Sequence, residues 1–413
     1  MSRSTEVSRS TEVSHRTVDE YAAHVRALIT PALPTGLDTV AVGAALGRVT
    51  AAAILCPVDL PLFRNSQMDG FAVVAADLAT LLLTSLPVTL PIVGEVAARP
   101  GTPPPLVSGT AVRIMTGAVV PEGADAVVPV EDTSSTADTV TVTRARAIGE
   151  YVRDRGSDLR AGDPLLPAGL RLASRHLAAL AAAGIEEIEV RRRVRIVVIS
   201  TGAELAPLGR RAEPGEIYDS NSTALESAAT ACGAEVTYAI HPVEDAVSQF
   251  RETMVFGVAN ADLILTSGGI SMGSYEVVRE FWHANGGEVG HIAMQPGGPQ
   301  ASGVFNGVPV ISFPGNPVST QLSFEVFVAP ILREAAGLPA ARRQTRTLIA
   351  DLRSAAGTRQ FLRGRALPDG RVEVVGGPSS HLVAGLAASD LLLDIPEGIT
   401  ELKAGDPVET IDL

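Results

Sequence analysis

The chain has 413 residues, 46% hydrophobic and 19% charged, which excludes global disorder and provides for several packed cores. At about 150 residues per domain, the length corresponds to roughly two to four domains. Acidic residues number 46 against 33 Lys plus Arg, a formal charge of −13. That sign repels nucleic-acid phosphate, and the short runs Arg191–Arg193 and Arg342–Arg343 do not reverse it.

The N-terminus carries an exact duplication, SRSTEV at Ser2–Val7 and Ser8–Val13. A short polar repeat buries no core, so residues 1–16 are expected to form a disordered tail without a signal peptide. Val18, Tyr21, Ala22, Val25 and Leu28 recur at helical spacing before Pro31. From Leu37 the texture changes to short Val/Thr/Ile runs between Gly and Pro, at Leu86–Val93, Ala111–Thr116 and Thr139–Thr143. These predict a β-rich unit. A linking segment follows, with a helix at Ser174–Ala183, so the β unit is expected to be inserted into a discontinuous domain.

Between Arg191 and Leu338 strands alternate with helices. The strands are Val194–Ser200, Glu235–Ile240, Asp262–Thr266 and Pro309–Phe313; the helices lie near Ser222–Ala231, Asp245–Phe256, Tyr275–Ala284 and Ser319–Ala336. That order predicts a parallel sheet with right-handed crossovers. After Pro339 five short strands return, at Thr347–Leu352, Gln360–Ala366, Arg371–Val375, Asp390–Ile395 and Pro407–Ile411, and predict a small all-β module.

Uncharged stretches such as Val289–Phe324 and Leu78–Gly94 are broken by prolines, so no membrane span is expected. Cys56 and Cys232 lie far apart in apolar surroundings and read as free thiols of a reducing cytoplasm. No nucleic-acid or membrane partner is expected.

Ligands of open parallel sheets bind beyond the carboxyl ends of the strands. Three strands end there in glycine turns: Thr201-Gly202-Ala203-Glu204, Ser267-Gly268-Gly269 and Pro314-Gly315-Asn316-Pro317. Each is individually an ordinary strand-to-helix turn; converging on one edge, the three predict an anion or nucleotide pocket. Glu204, Asp245 and Glu276 flank these ends and are either Mg²⁺ ligands or solvated helix-terminus acids. No dinucleotide fingerprint, Walker A loop, HExxH or CxxC occurs. The seven scattered histidines read individually as structural.

Six ordered motifs carry a resemblance: NSQMDGFA (Asn65–Ala72), RIMTGAVVPEGADAVVPVE (from Arg113), RDRGSD (from Arg153), STGAEL (from Ser200), TSGGISMG (from Thr266) and FPGNPVS (from Phe313). From about Val18 to Leu413 the chain resembles the molybdopterin molybdenumtransferases, the molybdenum insertase family of MoeA and the gephyrin E domain. The resemblance implies a multidomain α/β plus β fold: a discontinuous linking domain (17–36 and 150–190), an inserted β domain (37–149), a molybdopterin-binding α/β domain (191–338) and a C-terminal β-barrel (339–413). It implies a homodimer that inserts molybdate into adenylated molybdopterin with Mg²⁺, releasing AMP. Its partners would be a molybdopterin adenylyltransferase upstream and molybdoenzyme apoproteins or their chaperones downstream.

Carried over by position, Asp69, Thr116, Glu204, Asp245 and Glu276 would be catalytic, with Asp69, Glu204 and Asp245 holding Mg²⁺. Ser66, Asp158, Thr201, Gly202, Ser267, Gly268, Gly269, Gln295, Gly298, Pro314, Gly315, Asn316, Pro317, Arg363 and Ser380 would bind substrate. The chain departs from the family pattern around the anion. A segment that reads KPGKP or QPGKP in the family is here Gln295-Pro296-Gly297-Gly298-Pro299, without either lysine of the two-lysine version; TGDEL has become TGAEL at Ala203, FDNS has Arg64, and the GxxDxxK positions carry Glu276 and Arg279. Two readings follow. One is an insertase whose lost charge Arg64, Arg279 or Gln295 makes up; the other is a weak or inactive paralogue that carries the cofactor or acts as a scaffold. A hydrolase of other nucleotide pyrophosphates is a third reading of the α/β domain.

Overall fold

The computed structural model describes residues 15–243, 246–271 and 276–413. The duplicated hexapeptide and Asp245 lie outside the described residues. The chain forms two compact units, one of Arg191–Leu413 with the N-terminal stretch to Asp38, the other of Thr39–Val190.

The first unit is built on a seven-stranded sheet in the order His15–Arg16, Glu288–Ile292, Pro299–Phe305, Val308–Phe313, Leu263–Ser267, Arg195–Thr201, Glu235–Val243. The four anticipated strands pair in parallel. Arg195–Thr201 is buried on both faces. Ile196 and Val198 face one core with Val25, Leu225 and Leu322, whereas Val197 and Ile199 face another with Phe250, Met254 and Trp282. Helices on both faces are what make such a strand continuously apolar.

Two further strands, Glu288–Ile292 and Pro299–Phe305, add an antiparallel wing where the sequence suggests no strand. Their text is rich in Gly and Pro, which obscures the alternation. The turn between Pro299–Phe305 and Val308–Phe313 is Asn306-Gly307, both at positive φ (49° and 87°), the backbone that a two-residue hairpin demands. Helices run at Ser220–Ala231, Val247–Asn260 and Val277–Asn285. The last expected helix is continuous in space but contains a π-helical turn, Phe324–Val328, between Pro317–Ser323 and Ala329–Ala335. Helix Val18–Ile29 opens with a Thr17/Glu20 capping box and packs into the same core.

At the C-terminus, Arg359–Ala366 pairs with both Arg371–Val374 and Leu391–Ile395. Arg343–Leu348 and Pro407–Asp412 complete a closed five-strand barrel around Leu348, Leu362, Val372, Leu391, Leu393 and Val408. Closure leaves the barrel without a long open edge. A two-residue strand, Met294–Gln295, joins the barrel in parallel with Arg359 and Gln360.

In the second unit, a six-stranded sheet runs Ala126–Pro129, Gly70–Val73, Ala111–Ile114, Val88–Val96, Thr139–Val142, Thr133–Ser135. Its two faces bury Phe71, Val73, Leu90 and Val128 on one side and Ala72, Val112, Ile114 and Val127 on the other. Helix Ser174–Ala182 packs separately with Val42, Leu172, Ile188 and Val190.

Among the described residues no helix is long and apolar enough to cross a membrane. Both cysteines are free and buried, and burial pushes the Cys232 thiol up to about 11.

Candidate active site

The three glycine turns meet in the first unit. Gly268, at φ +89°, lies so close to the neighbouring strand end that a Cβ there would come 2.5 Å from the Thr201 carbonyl oxygen. A Cβ on Gly315 would sit 3.4 Å from Gly268 Cα. Small residues therefore let three backbones converge where side chains would hold them apart.

They frame a cavity of about 820 Å³ lined by Thr201, Gly202, Glu204, Gly268, Gly269, Glu276, Gln295, Gly298, Pro314, Gly315, Asn316, Pro317 and Ser380. These expected positions are thus brought together. Ser267 stands one step behind them, fully buried, its hydroxyl 3.0 Å from that of Ser200.

The sequence reading misses the polar layer beneath. Asp219 is buried and caps helix Ser220–Ala231, accepting from the Ser222 N–H at 3.1 Å, the Ser222 hydroxyl at 2.7 Å and the Ser200 hydroxyl at 3.2 Å. Asn221, 8% exposed, donates from Nδ2 to the Gly315 carbonyl at 2.8 Å and so ties this helix to the Pro314–Pro317 turn. Its Oδ1 is buried without a hydrogen-bond partner. The tripeptide Asp219-Ser220-Asn221, a cap residue followed by two polar residues on a strand-to-helix turn, is the signal from which these positions could be found.

The carboxylates of the cavity differ in their commitments. Glu276, immediately before helix Val277–Asn285, accepts the Ser271 N–H at 3.0 Å. Asp219 serves the cap. Glu204 is exposed and curls back over Gly202, where a Cβ would meet its Oε2 at 2.7 Å. Among the described residues no three His, Cys, Asp or Glu side chains gather as a metal cage. Mg²⁺ does not require one, since it keeps waters and takes one or two carboxylates together with substrate phosphates.

The segment Gln295–Pro299 forms one wall and is braced from below. Gln300 donates to the Gly297 carbonyl at 2.9 Å and to the Ser323 hydroxyl at 2.7 Å, and Gln360 donates to Gln295 Oε1 at 2.7 Å. Ile292 N–H donates to the Gly298 carbonyl at 2.8 Å.

Arg363 is absent from the lining. It is 1% exposed, and its guanidinium donates to the carbonyls of Gly377 and Ser379. Burial pulls it below its ordinary pKa, and its Nε has no partner. Arg363 therefore shapes the loop that carries Ser379 and Ser380 into the cavity. The Ser380 carbonyl in turn accepts the Val318 N–H at 3.1 Å. Arg279 is likewise outside the lining, donating to the Ser271 carbonyl at 3.2 Å. No Lys or Arg appears among the described residues lining the cavity.

The remaining expected positions lie in the second unit. Thr116 donates both its N–H, at 2.7 Å, and its hydroxyl, at 2.9 Å, to Asp69 Oδ1. Those bonds, the backbone one first, hold the Asp69 carboxyl below the usual range. Ser66 is fully buried and its hydroxyl donates to the Met68 carbonyl at 2.6 Å, so it fixes the turn that presents Asp69. Asp158 is exposed on its own turn. Arg64 is spent on Asp154, 3.2 Å away.

Residues 16–184 match the family model described as "MoeA N-terminal region (domain I and II)". Residues 197–334 match "Probable molybdopterin binding domain", and 345–413 match "MoeA C-terminal region (domain IV)". "Molybdopterin molybdenumtransferase 2" of Mycobacterium tuberculosis (strain ATCC 25618 / H37Rv) is 41% identical over 410 residues, covering 96% of this chain and 100% of that protein. "Molybdopterin molybdenumtransferase 1" of the same strain is 32% identical over 421 residues, covering 95% and 98%. The crystal structure of a "molybdopterin biosynthesis moea protein from Pyrococcus horikosii" superposes with a TM-score of 0.79 at 30% identity, covering 97% of this chain and 99% of that one.

Proposed function

Because the chain belongs to the molybdopterin molybdenumtransferase family, whose role is in molybdenum cofactor biosynthesis, we propose that it inserts molybdate into adenylated molybdopterin with release of AMP. The observation that carries this reading is the cavity at the carboxyl ends of the parallel strands, where three close-set glycine turns expose backbone to an anionic ligand. Its volume of about 820 Å³ is in the range of a site for a substantial organic ligand. The Oδ1 of Asn221, buried and unpaired at its edge, supplies an acceptor for a ligand N–H.

Glu204 is the carboxylate of this cavity that would hold Mg²⁺. The ion, when bound, would neutralise phosphate charge and polarise the bond to the leaving nucleotide. In the second unit, Asp69 is proposed as a catalytic carboxylate, held by the two Thr116 bonds to its Oδ1. Asp219, Ser200 and Ser222 hold the turn amides in place, and Ser380 closes the far wall. The active form is proposed to be a homodimer working in the cytoplasm, supplied by a molybdopterin adenylyltransferase.

The absence of Lys and Arg among the described lining residues favours a second reading, a paralogue that binds the cofactor and turns over slowly or not at all. Complementation separates the two: the chain is expressed in a host lacking its own insertase, and molybdoenzyme activity is scored at low and high molybdate. Rescue at both concentrations is the expected result. No rescue by soluble, folded protein that still binds adenylated molybdopterin without releasing AMP would replace the insertase with the carrier.

A further inference from the structure

The cavity is asymmetric in charge. Glu204, Asp219 and Glu276 contribute to it, and His291 is the only side chain among its described lining residues that can carry positive charge. A dianionic oxyanion entering such a space needs a donor that outweighs the carboxylates. Backbone amides supply part of this. The side chain nearest to doing so is the imidazole of His291.

Its placement follows from the antiparallel wing. His291 stands across from Pro299 in the pairing of Glu288–Ile292 with Pro299–Phe305, and the bond from Ile292 N–H to the Gly298 carbonyl fixes the register. The ring then lies over Gly298. A Cβ added to Gly298 would meet His291 Cε1 at 2.2 Å, Nε2 at 2.5 Å and Nδ1 at 3.0 Å. The imidazole therefore fills the volume that any side chain at position 298 would enter, and glycine is what admits it.

Resting on the insertase reading, we propose that His291 is the side chain that contacts the oxyanion in this cavity, taking the place of a cation on the Gln295–Pro299 segment. Either ring nitrogen of an imidazole can carry an N–H for an oxyanion to accept, and the charged ring carries both. Gln295 assists it: with Oε1 accepting from Gln360, its own amide N–H groups are left to donate. The wall beneath is held by Gln300 through Gly297, so both donors stand on a braced surface.

The test uses the full-length chain with molybdate as the probe, measured by equilibrium dialysis, with thermal unfolding as the check on folding. His291→Ala is expected to weaken molybdate binding about tenfold or more. His291→Lys, or the double variant His291→Ala with Gly298→Lys, is expected to restore it to within a few-fold. Unchanged binding in folded His291→Ala overturns the assignment while leaving the insertase reading intact. A loss that neither lysine variant recovers also overturns it, because the ring would then be packing rather than binding. A wild-type chain that binds no molybdate removes the insertase reading and this inference together.

Discussion

Asn221 binds Gly315 across the mouth of the cavity: its amide donates 2.8 Å to a carbonyl 94 positions further along the chain. One side chain thus couples the helix that begins after Asp219 to the Pro314–Pro317 turn, while its Oδ1 is buried without a hydrogen-bond partner.

Asn221→Ala is expected to cost about 1–2 kcal/mol of stability, the usual effect of leaving a buried carbonyl unpaired. Binding of adenylated molybdopterin should fall further than that loosening alone explains. Denaturant unfolding and ligand titration on the same preparation measure the two effects. Equal binding by the variant would show that Oδ1 accepts nothing from the ligand.

Gly70→Ala should destabilise by about 3 kcal/mol. A Cβ at Gly70 would lie 2.1 Å from the Val128 carbonyl oxygen and 3.0 Å from Pro129 Cα, all backbone of a paired strand. The neighbour cannot rotate away. Chemical denaturation of the full chain checks this, and an unaffected midpoint would contradict the close approach.

Thr116→Val removes the hydroxyl bond to Asp69 but keeps the backbone bond, so the Asp69 carboxyl is expected to titrate closer to its ordinary range, without reaching it. With its folded pKa depressed below the unfolded one, Asp69 contributes stability that is present above the unfolded value and lost as pH falls through the folded value. NMR titration of the carboxyl carbon in the two proteins measures the difference. Coincident curves would mean that the hydroxyl contributes nothing.

Glu325 is the opposite case. Burial raises its pKa, partly offset by Arg333, so the penalty of holding it charged is present above the folded value and absent below the unfolded one. Glu325→Gln should therefore raise Tm, and by more at about pH 8 than at about pH 5. A larger gain at the acidic value would reverse the assigned sign.

How far this site was legible differs from element to element. The glycine turns at 201–204, 268–269 and 314–317 were readable because glycine and proline report backbone geometry locally. Four of the barrel strands were readable for the same reason, each bounded by turn residues, whereas the first runs at Arg343–Leu348 rather than the expected Thr347–Leu352. The wing of Glu288–Ile292 and Pro299–Phe305 was hidden by its own glycines and prolines, although Asn306-Gly307 marks a hairpin. Hiding the wing hid the relation of His291 to Gly298, which exists only once the register is set. Gly298 then reads as a lysine removed, whereas in space it is a seat for the ring. Arg363 failed in the reverse direction: a charged residue in a substrate-like motif proved to be 1% exposed and bonded to carbonyls, which no local pattern announces.

The pairing of Met294–Gln295 with Arg359–Gln360 makes the C-terminal barrel a structural member of the cavity rather than an appendage. Ala355, Thr358, Ser379 and Ser380 come from it directly, and Gln360 clamps Gln295. Truncation after Leu338 therefore takes away one wall and unclamps the next. An isolated α/β domain of this protein would keep the three glycine turns but offer its ligand an open shelf, and exchanging barrels between relatives should retune ligand affinity as directly as mutating the turns.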